Sequence, residues 1–401
     1  MLDEFLGGMK LIFKEAAACK LSSWSSVYNG FDCGKMTLVN PPGLCSRACT
    51  LAGLLLCIEH RSTMGEYKKP WLTFEEQADL LIVERGLVAD RDDLIAHLAN
   101  VGYYRLSGYW YIFKRKPEAD KEGEKDERFV EGTTFDQIWK LYTFDRQFRL
   151  IVLDAIERVE VYFRTQLAYE LAGKTGAFGF FDRENLPRLE GDAYGEFIER
   201  CTEELDRSRE PFAIHFKEAY GDAHDLPPYW ILVNLMDFGT MLRLYNGASV
   251  DIRNRISGDL GVSSRVLKSW LVAINTARNI CAHHGRLWNR GLGTRPTIPT
   301  KSKYPEWHEP YQVRSDNMFG ILTILSYLLE RIAPETGWRT RLFELLDRLD
   351  ADELRRMGFA EGWQGCPLWE PYLPAAELGK KLERGYEERG GVPLCEPFTD
   401  E

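Results

Sequence analysis

The sequence predicts an all-α fold. Three observations carry that expectation. Helix-start signatures recur along the chain, with Thr73 followed by Glu76 and Thr134 followed by Gln137 in the spacing of reciprocal capping boxes. Apolar residues return every three or four positions over long stretches, as one face of a helix requires. Alternation of apolar and polar residues, the mark of a half-buried strand, is scarce.

In order, Thr73 opens a helix through Leu80, Leu81 and Arg85 that stops at Gly86, and Asp90 caps a second, with Leu94, Ile95 and Leu98, that ends near Gly102. Residues 103–113 are an aromatic cluster, expected to serve as core rather than as a platform for bases. Residues 115–132 are charged and loop-like. Thr134 then starts a stretch from Phe135 to about Ala172, with Ile138, Leu141, Phe148, Val152, Ala155, Val159 and Phe163 on one face and with room for a kink. Gly173 and Gly176 mark its end. A loop over 182–192 leads to a helix over about 193–206. Pro227-Pro228 opens a helix through Trp230, Leu235 and Leu242 that closes at Asn246-Gly247. Ser263 or Ser264 starts the next, which Gly285 is expected to stop. Residues 296–310 form a loop, and helical patterns return over 316–333 and 338–348.

Residues 1–64 read differently, rich in Cys, Ser and Gly and without a period, so they are taken as an atypical leader, with Met64 as the expected natural start. Three further segments come after it: a helical and aromatic segment over 65–134, a helical core over 135–348 and a tail over 349–401 whose Gly390-Gly391 end is expected to fray.

The 401 residues carry a net charge of −10, which argues against a generally basic nucleic-acid-binding surface but leaves room for a local one. Nine cysteines, widely spaced and with no CxxC pair, suit a reducing cytoplasm better than a disulfide framework or a zinc ribbon. No apolar run is long enough to cross a bilayer, and the stretch from Leu51 to Ile58 lacks the flanks of a signal peptide.

Chemistry concentrates on the helix that begins at Ser264. At about 100° per residue, Leu267, Leu271, Ile274 and Cys281 share one face, and Arg278 falls in the middle of it. A buried guanidinium is costly without a partner. Either a carboxylate such as Glu157 or Glu160 meets it, or the face lines a cleft or a subunit contact. His283 and His284 are expected in the last turn. An imidazole that titrates near neutrality is suited to moving a proton to or from a ribose hydroxyl. His283 can equally be a helix-end residue bonded to a carbonyl, and Cys281 plain packing. Adjacent histidines do not make a two-point metal ligand, so no metal site and no cofactor are expected.

Between Leu260 and Pro305 the chain has eight Lys or Arg residues and no Asp or Glu. They include Arg278, Arg286, Arg290 and Arg295. In so acidic a chain this is an expected electropositive site for a polyanion, since guanidinium forks match phosphate oxygens. His284, Arg286, Trp288, Arg290 and Arg295 are its expected RNA-binding residues, with Trp288 as a stacking surface for a base.

Five segments together resemble the abortive-infection AbiD/AbiF-like family of the HEPN superfamily: Leu72-Thr-Phe-Glu-Glu-Gln77, Tyr103-Tyr-Arg-Leu-Ser-Gly-Tyr-Trp110, Pro228-Tyr-Trp-Ile-Leu-Val233 with Phe238-Gly-Thr240, Arg278-Asn-Ile-Cys-Ala-His-His-Gly-Arg-Leu-Trp-Asn-Arg290, and Met357-Gly-Phe359 with Trp363. The resemblance spans roughly Lys69 to Trp369. Arg278 and His283, with four residues between, fit the superfamily motif of Arg, four to six residues, then His, and Asn279 takes the polar position that often follows the arginine.

The resemblance implies a HEPN-like helical bundle with an N-terminal helical extension, dimerising so that two motifs face each other. It also implies a metal-independent endoribonuclease of phage defence with Arg278, Asn279 and His283 as catalytic residues. The implied partners are RNA, including a structured noncoding RNA or a tRNA, a second copy of the chain and a cognate antitoxin, with no membrane involved. The rival reading is a HEPN protein that binds RNA without cutting it, and a third is a purely structural partner in a pair.

Overall fold

A computed structural model describes residues 69–116 and 126–369. The leader with its Met64 start, the middle of the charged segment and the Gly390-Gly391 tail lie outside the described residues. The chain divides into two units, with the boundary between Trp71 and Leu72.

Helices are the regular elements among the second unit's described residues. The only extended pairings among them are two isolated bridges, Val88 with Thr134 and Lys114 with Phe129. Thr73 and Glu76 close the expected capping box on α1 (Phe74–Asp79), which widens at Leu80–Glu84 into a turn bonded five residues back before Gly86 reverses the chain. Asp90 caps α2 (Arg91–Val101) through the Asp93 amide. The aromatic cluster is α3 (Tyr103–Trp110) and one 3₁₀ turn, Tyr111–Phe113. Leu106, Tyr109 and Trp110 are buried, and Tyr104 is 91% exposed.

The organising element is α4 (Phe135–Thr175), one helix of 41 residues. At about 1.5 Å per residue it runs roughly 60 Å. It runs without a break, and neither Pro nor Gly interrupts it before Gly173. Thr134 and Gln137 form its capping box, and Gly176, at φ 81°, ends it. Ile138, Leu141, Phe148, Val152, Ala155, Val159, Phe163, Leu167 and Leu171 lie buried along its inner face.

Against α4 pack α3 and the later helices α7 (Tyr229–Leu235), α9 (Val250–Asp259), α10 (Ser264–Ala282), α11 (Met318–Ile332) and α12 (Trp338–Leu346). Every residue of α11 from Met318 to Leu329 is buried, so the helix has no polar face. Its three buried hydroxyls are satisfied, that of Tyr327 by the Gly261 carbonyl at 3.4 Å. Thr323 donates to the Phe319 carbonyl and accepts from the Trp369 indole, and Ser326 accepts from Arg339.

Several elements differ from the sequence-based expectation. The helix read from Pro228 to Gly247 is two helices. Met236 is extended, and Asp237 starts α8 (Phe238–Gly247) by accepting the Thr240 amide at 2.6 Å. After α5 (Ala193–Arg207), a helix α6 (Pro211–Tyr220) begins with Pro in its first turn. α9 and α13 (Ala351–Arg356), the latter with a full capping box between Asp350 and Glu353, are likewise absent from the sequence-based expectation. All three are 10 residues or shorter, too short for periodicity to stand out.

Candidate functional site

Helix α10 carries the Arg-x4-His segment, capped at Ser263 as expected through the Val266 amide. Its end differs from expectation. The last helical residue is Ala282, His283 is the C-cap, and His284 sits just outside at φ 56°. The His284 amide donates to the Cys281 carbonyl and the Gly285 amide to the Ile280 carbonyl, the paired bonds of a Schellman ending. The left-handed position thus falls on a histidine rather than on Gly285. For an L residue this conformation costs about 1 kcal/mol or more. The histidine is retained there because the segment beyond it is fixed from outside the helix.

The fixing group is Asp145, on the buried face of α4 and with no exposed surface. Its carboxylate accepts from the Tyr109 hydroxyl at 2.6 Å, the Leu287 amide at 3.0 Å, the Trp288 amide at 2.6 Å and the Arg149 guanidinium. Arg149, one turn later and itself buried, also reaches the Gly285 carbonyl at 3.4 Å. Burial pushes the Asp145 carboxyl above the usual carboxylate range, against the Tyr109 hydroxyl, the Arg149 charge and the two backbone amides, which favour the ionised form. Burial and the Asp145 charge both push the Tyr109 phenol upward.

The far side of the segment is held from α3 and its following turn. Arg105 donates to the His284 carbonyl. Arg286 donates to the Tyr111 hydroxyl at 3.1 Å and lies 4.9 Å from the centre of that ring, a cation–π contact. Asn289, at φ 48°, donates to the same hydroxyl. The aromatic cluster therefore works as a clamp on the segment beyond His283.

Arg278 is partly buried and lines an open cleft of about 470 Å³ with Leu150, Leu153, Glu157, Glu160 and Val161 of α4. The pairing with Glu157 or Glu160 left open from sequence does not form. Glu160 pairs with Arg164, and Arg278 makes no ion pair among the described residues. Among the described residues its side chain makes one hydrogen bond, to the Asn279 side-chain oxygen at 3.3 Å. Asn279 thus approaches Arg278 rather than His283. Asn279, His283, His284, Arg290 and Arg295 are exposed.

Trp288 requires a correction. It is fully buried, so it offers no face for a base to stack on. Its amide is one of the donors to Asp145, and the ring follows the backbone inward. The acid-free character of the segment is also partly a feature of sequence alone, since Lys301 pairs with Glu309 and Arg295 lies near Asp316. Cys281 is buried, as packing requires, and its thiol is pushed up to about 12, first by burial and then by the Asp145 charge.

The residues that sequence reasoning missed are Asp145, Arg149, Tyr109, Arg105 and Tyr111. One signal was present. Asp145 falls in the apolar series Leu141, Phe148, Val152, where a carboxylate has to find donors. Among the described residues, no three His, Cys, Asp or Glu side chains are grouped to hold a metal ion, and no helix is long and apolar enough to cross a membrane.

No curated protein and no solved structure matches the chain. Residues 96–289, a stretch that includes α3, α4 and the whole clamped Arg278–Asn289 segment, match the family model described as Abi-like protein, which supports an abortive-infection family.

Proposed function

We propose that this protein is a metal-independent endoribonuclease effector of abortive infection against phage, acting through Arg278, Asn279 and His283 where two copies meet. One observation carries the reading. A guanidinium without a carboxylate partner lies in a surface cleft, five residues from an exposed histidine, in a chain of net charge −10. Such an arginine is free to meet a phosphate.

In the proposed reaction His283 takes the proton of a ribose 2′-hydroxyl. The 2′-oxygen forms a bond to the adjacent phosphorus as the bond to the 5′-oxygen breaks, and the leaving 5′-oxygen takes a proton from the partner's His283. Arg278 stabilises the charge that gathers on the phosphoryl oxygens. Asn279, bonded to Arg278, orients it. The products are a 2′,3′-cyclic phosphate and a 5′-hydroxyl. His284, Arg290 and Arg295, all exposed, extend the contact along the RNA, and Arg286 contributes from its place over Tyr111. The exposed apolar residues Leu150 and Val161 on the α4 wall of the cleft, 57% and 55% exposed, support it as the contact for a second copy. The proposed partners are RNA, structured or transfer RNA included, a second copy and a cognate antitoxin.

A second reading keeps the RNA and drops the cleavage. The His283 side chain has no hydrogen-bond partner among the described residues, whereas a general base is ordinarily oriented by a third group. The test is incubation of the full chain with end-labelled RNA in EDTA, beside Arg278→Ala and His283→Ala. Scission by the wild type alone is the expected result. Intact RNA that is nonetheless bound, with affinity falling steeply as salt rises, would favour the second reading. Cleavage that strictly needs a divalent metal would contradict the proposed chemistry.

A further inference from the structure

A second group of arginines lies at the turn between α8 and α9. The loop after α4 runs back over the end of α8, where the Arg188 amide donates to the Gly247 carbonyl at 3.2 Å. Leu189 packs so closely on Gly247 that a Cβ there would come within 2.7 Å of it. On the other side, α9 folds against the same turn, and the buried Tyr245 hydroxyl reaches the Arg253 carbonyl at 3.5 Å. Arg188 and Arg253 thereby flank the same turn from two separate elements.

Neither guanidinium has a partner. Among the described residues the two side chains make no hydrogen bond and no ion pair. Arg253 is only 8% exposed, and its Nε is fully enclosed without an acceptor. The other arginine buried to this degree among the described residues, Arg149, is paired with Asp145. Burial first, and then the nearby Arg188 charge, push the Arg253 guanidinium below its usual range. An uncompensated buried cation beside a second cation is costly in the empty protein, and a doubly charged oxyanion removes both costs at once.

We propose that Arg188 and Arg253 form a phosphate-binding site at the α8–α9 turn. The ligand class is a phosphate group, whose dianion matches two guanidinium forks in charge and in geometry. Its source is either a small phosphorylated molecule or the phosphates of a nucleic acid. The proposal uses no residue of the Arg278–His283 segment and stands whether or not that segment cuts RNA.

The test is calorimetric titration of the full chain with inorganic phosphate at fixed ionic strength, using wild type, Arg188→Gln and Arg253→Met. Saturable binding by the wild type, weakened at least tenfold in both variants, is expected. In the absence of phosphate, Arg253→Met should melt at a higher temperature than the wild type, since an apolar side chain replaces an unpaired charge. If Arg253→Met fails to fold, Arg188→Gln decides, because Arg188 is exposed. Competition separates the sources. Displacement of phosphate by a 5′-phosphorylated tetranucleotide but not by its 5′-hydroxyl form assigns a terminal phosphate, and displacement by both assigns backbone phosphates. No saturable phosphate binding, or equal binding by all three proteins, overturns the proposal.

Discussion

Replacing Asp145 by Asn changes little volume, yet it removes the one carboxylate that pairs with the buried Arg149 guanidinium among the described residues. One carboxylate oxygen takes Tyr109 and Arg149, and the other takes the Leu287 and Trp288 amides. A carboxamide keeps one oxygen and turns the other position into a donor that confronts donors. Breaking a buried ion pair from one side typically costs about 3–5 kcal/mol, because the remaining charge stays in the core. The Lys140–Glu353 pair provides the contrast, since at 2.8 Å its geometry is good but Lys140 is 44% exposed. For Lys140→Met the expected loss is therefore below about 1 kcal/mol. Urea unfolding of the two variants measures both values. Limited trypsin digestion then locates the damage, since a released segment should be cut at Arg286, which Tyr111 protects in the wild type. A loss below about 1 kcal/mol in Asp145→Asn, with Arg286 still protected, would refute the view that this carboxylate fixes the segment after His283.

Arg278→Ala and His283→Ala should abolish RNA cleavage while moving stability by no more than about 0.5 kcal/mol, because neither side chain carries an ion pair; a large drop in unfolding free energy would point to a structural role instead. Leu150→Asp should shift the mass seen by light scattering toward the monomer and reduce cleavage with it; an unchanged dimer that remains active would place the interface elsewhere. Cys281 is buried and its thiol is pushed up to about 12, so peptide mapping should find it unmodified by iodoacetamide until the protein is unfolded. The same shift has a sign for stability: the folded thiol keeps its proton to higher pH than the unfolded one, so this contribution is present below the unfolded value near 8.5 and declines as pH rises toward 12. Thr134→Ala removes the capping box of α4 and should cost about 1 kcal/mol in urea unfolding; no loss would mean that packing alone starts the helix.

The sequence by itself determined the helical class and most helix starts. Capping boxes at Thr73 and Thr134, and caps at Asp90 and Ser263, are local chemistry in which a side chain satisfies an amide three residues away. It also determined which residues compose the Arg278–His283 segment. Tertiary structure decided what surrounds them. Asp145, Tyr109 and the Leu287 and Trp288 amides come from three separate parts of the chain, and no local rule joins donors that far apart in sequence to one carboxylate. Trp288 shows the difference most directly. An aromatic residue amid arginines reads as a stacking surface, but the bond from its amide to a buried carboxylate draws the ring into the core. The same holds for Arg278. Periodicity placed it on the apolar stripe, and only the packing of α10 against α4, with Glu160 already engaged by Arg164, left it unpaired in a cleft. Short-range hydrogen bonding and periodicity are properties of neighbouring residues, whereas the partner of a buried charge is set by which helix faces meet.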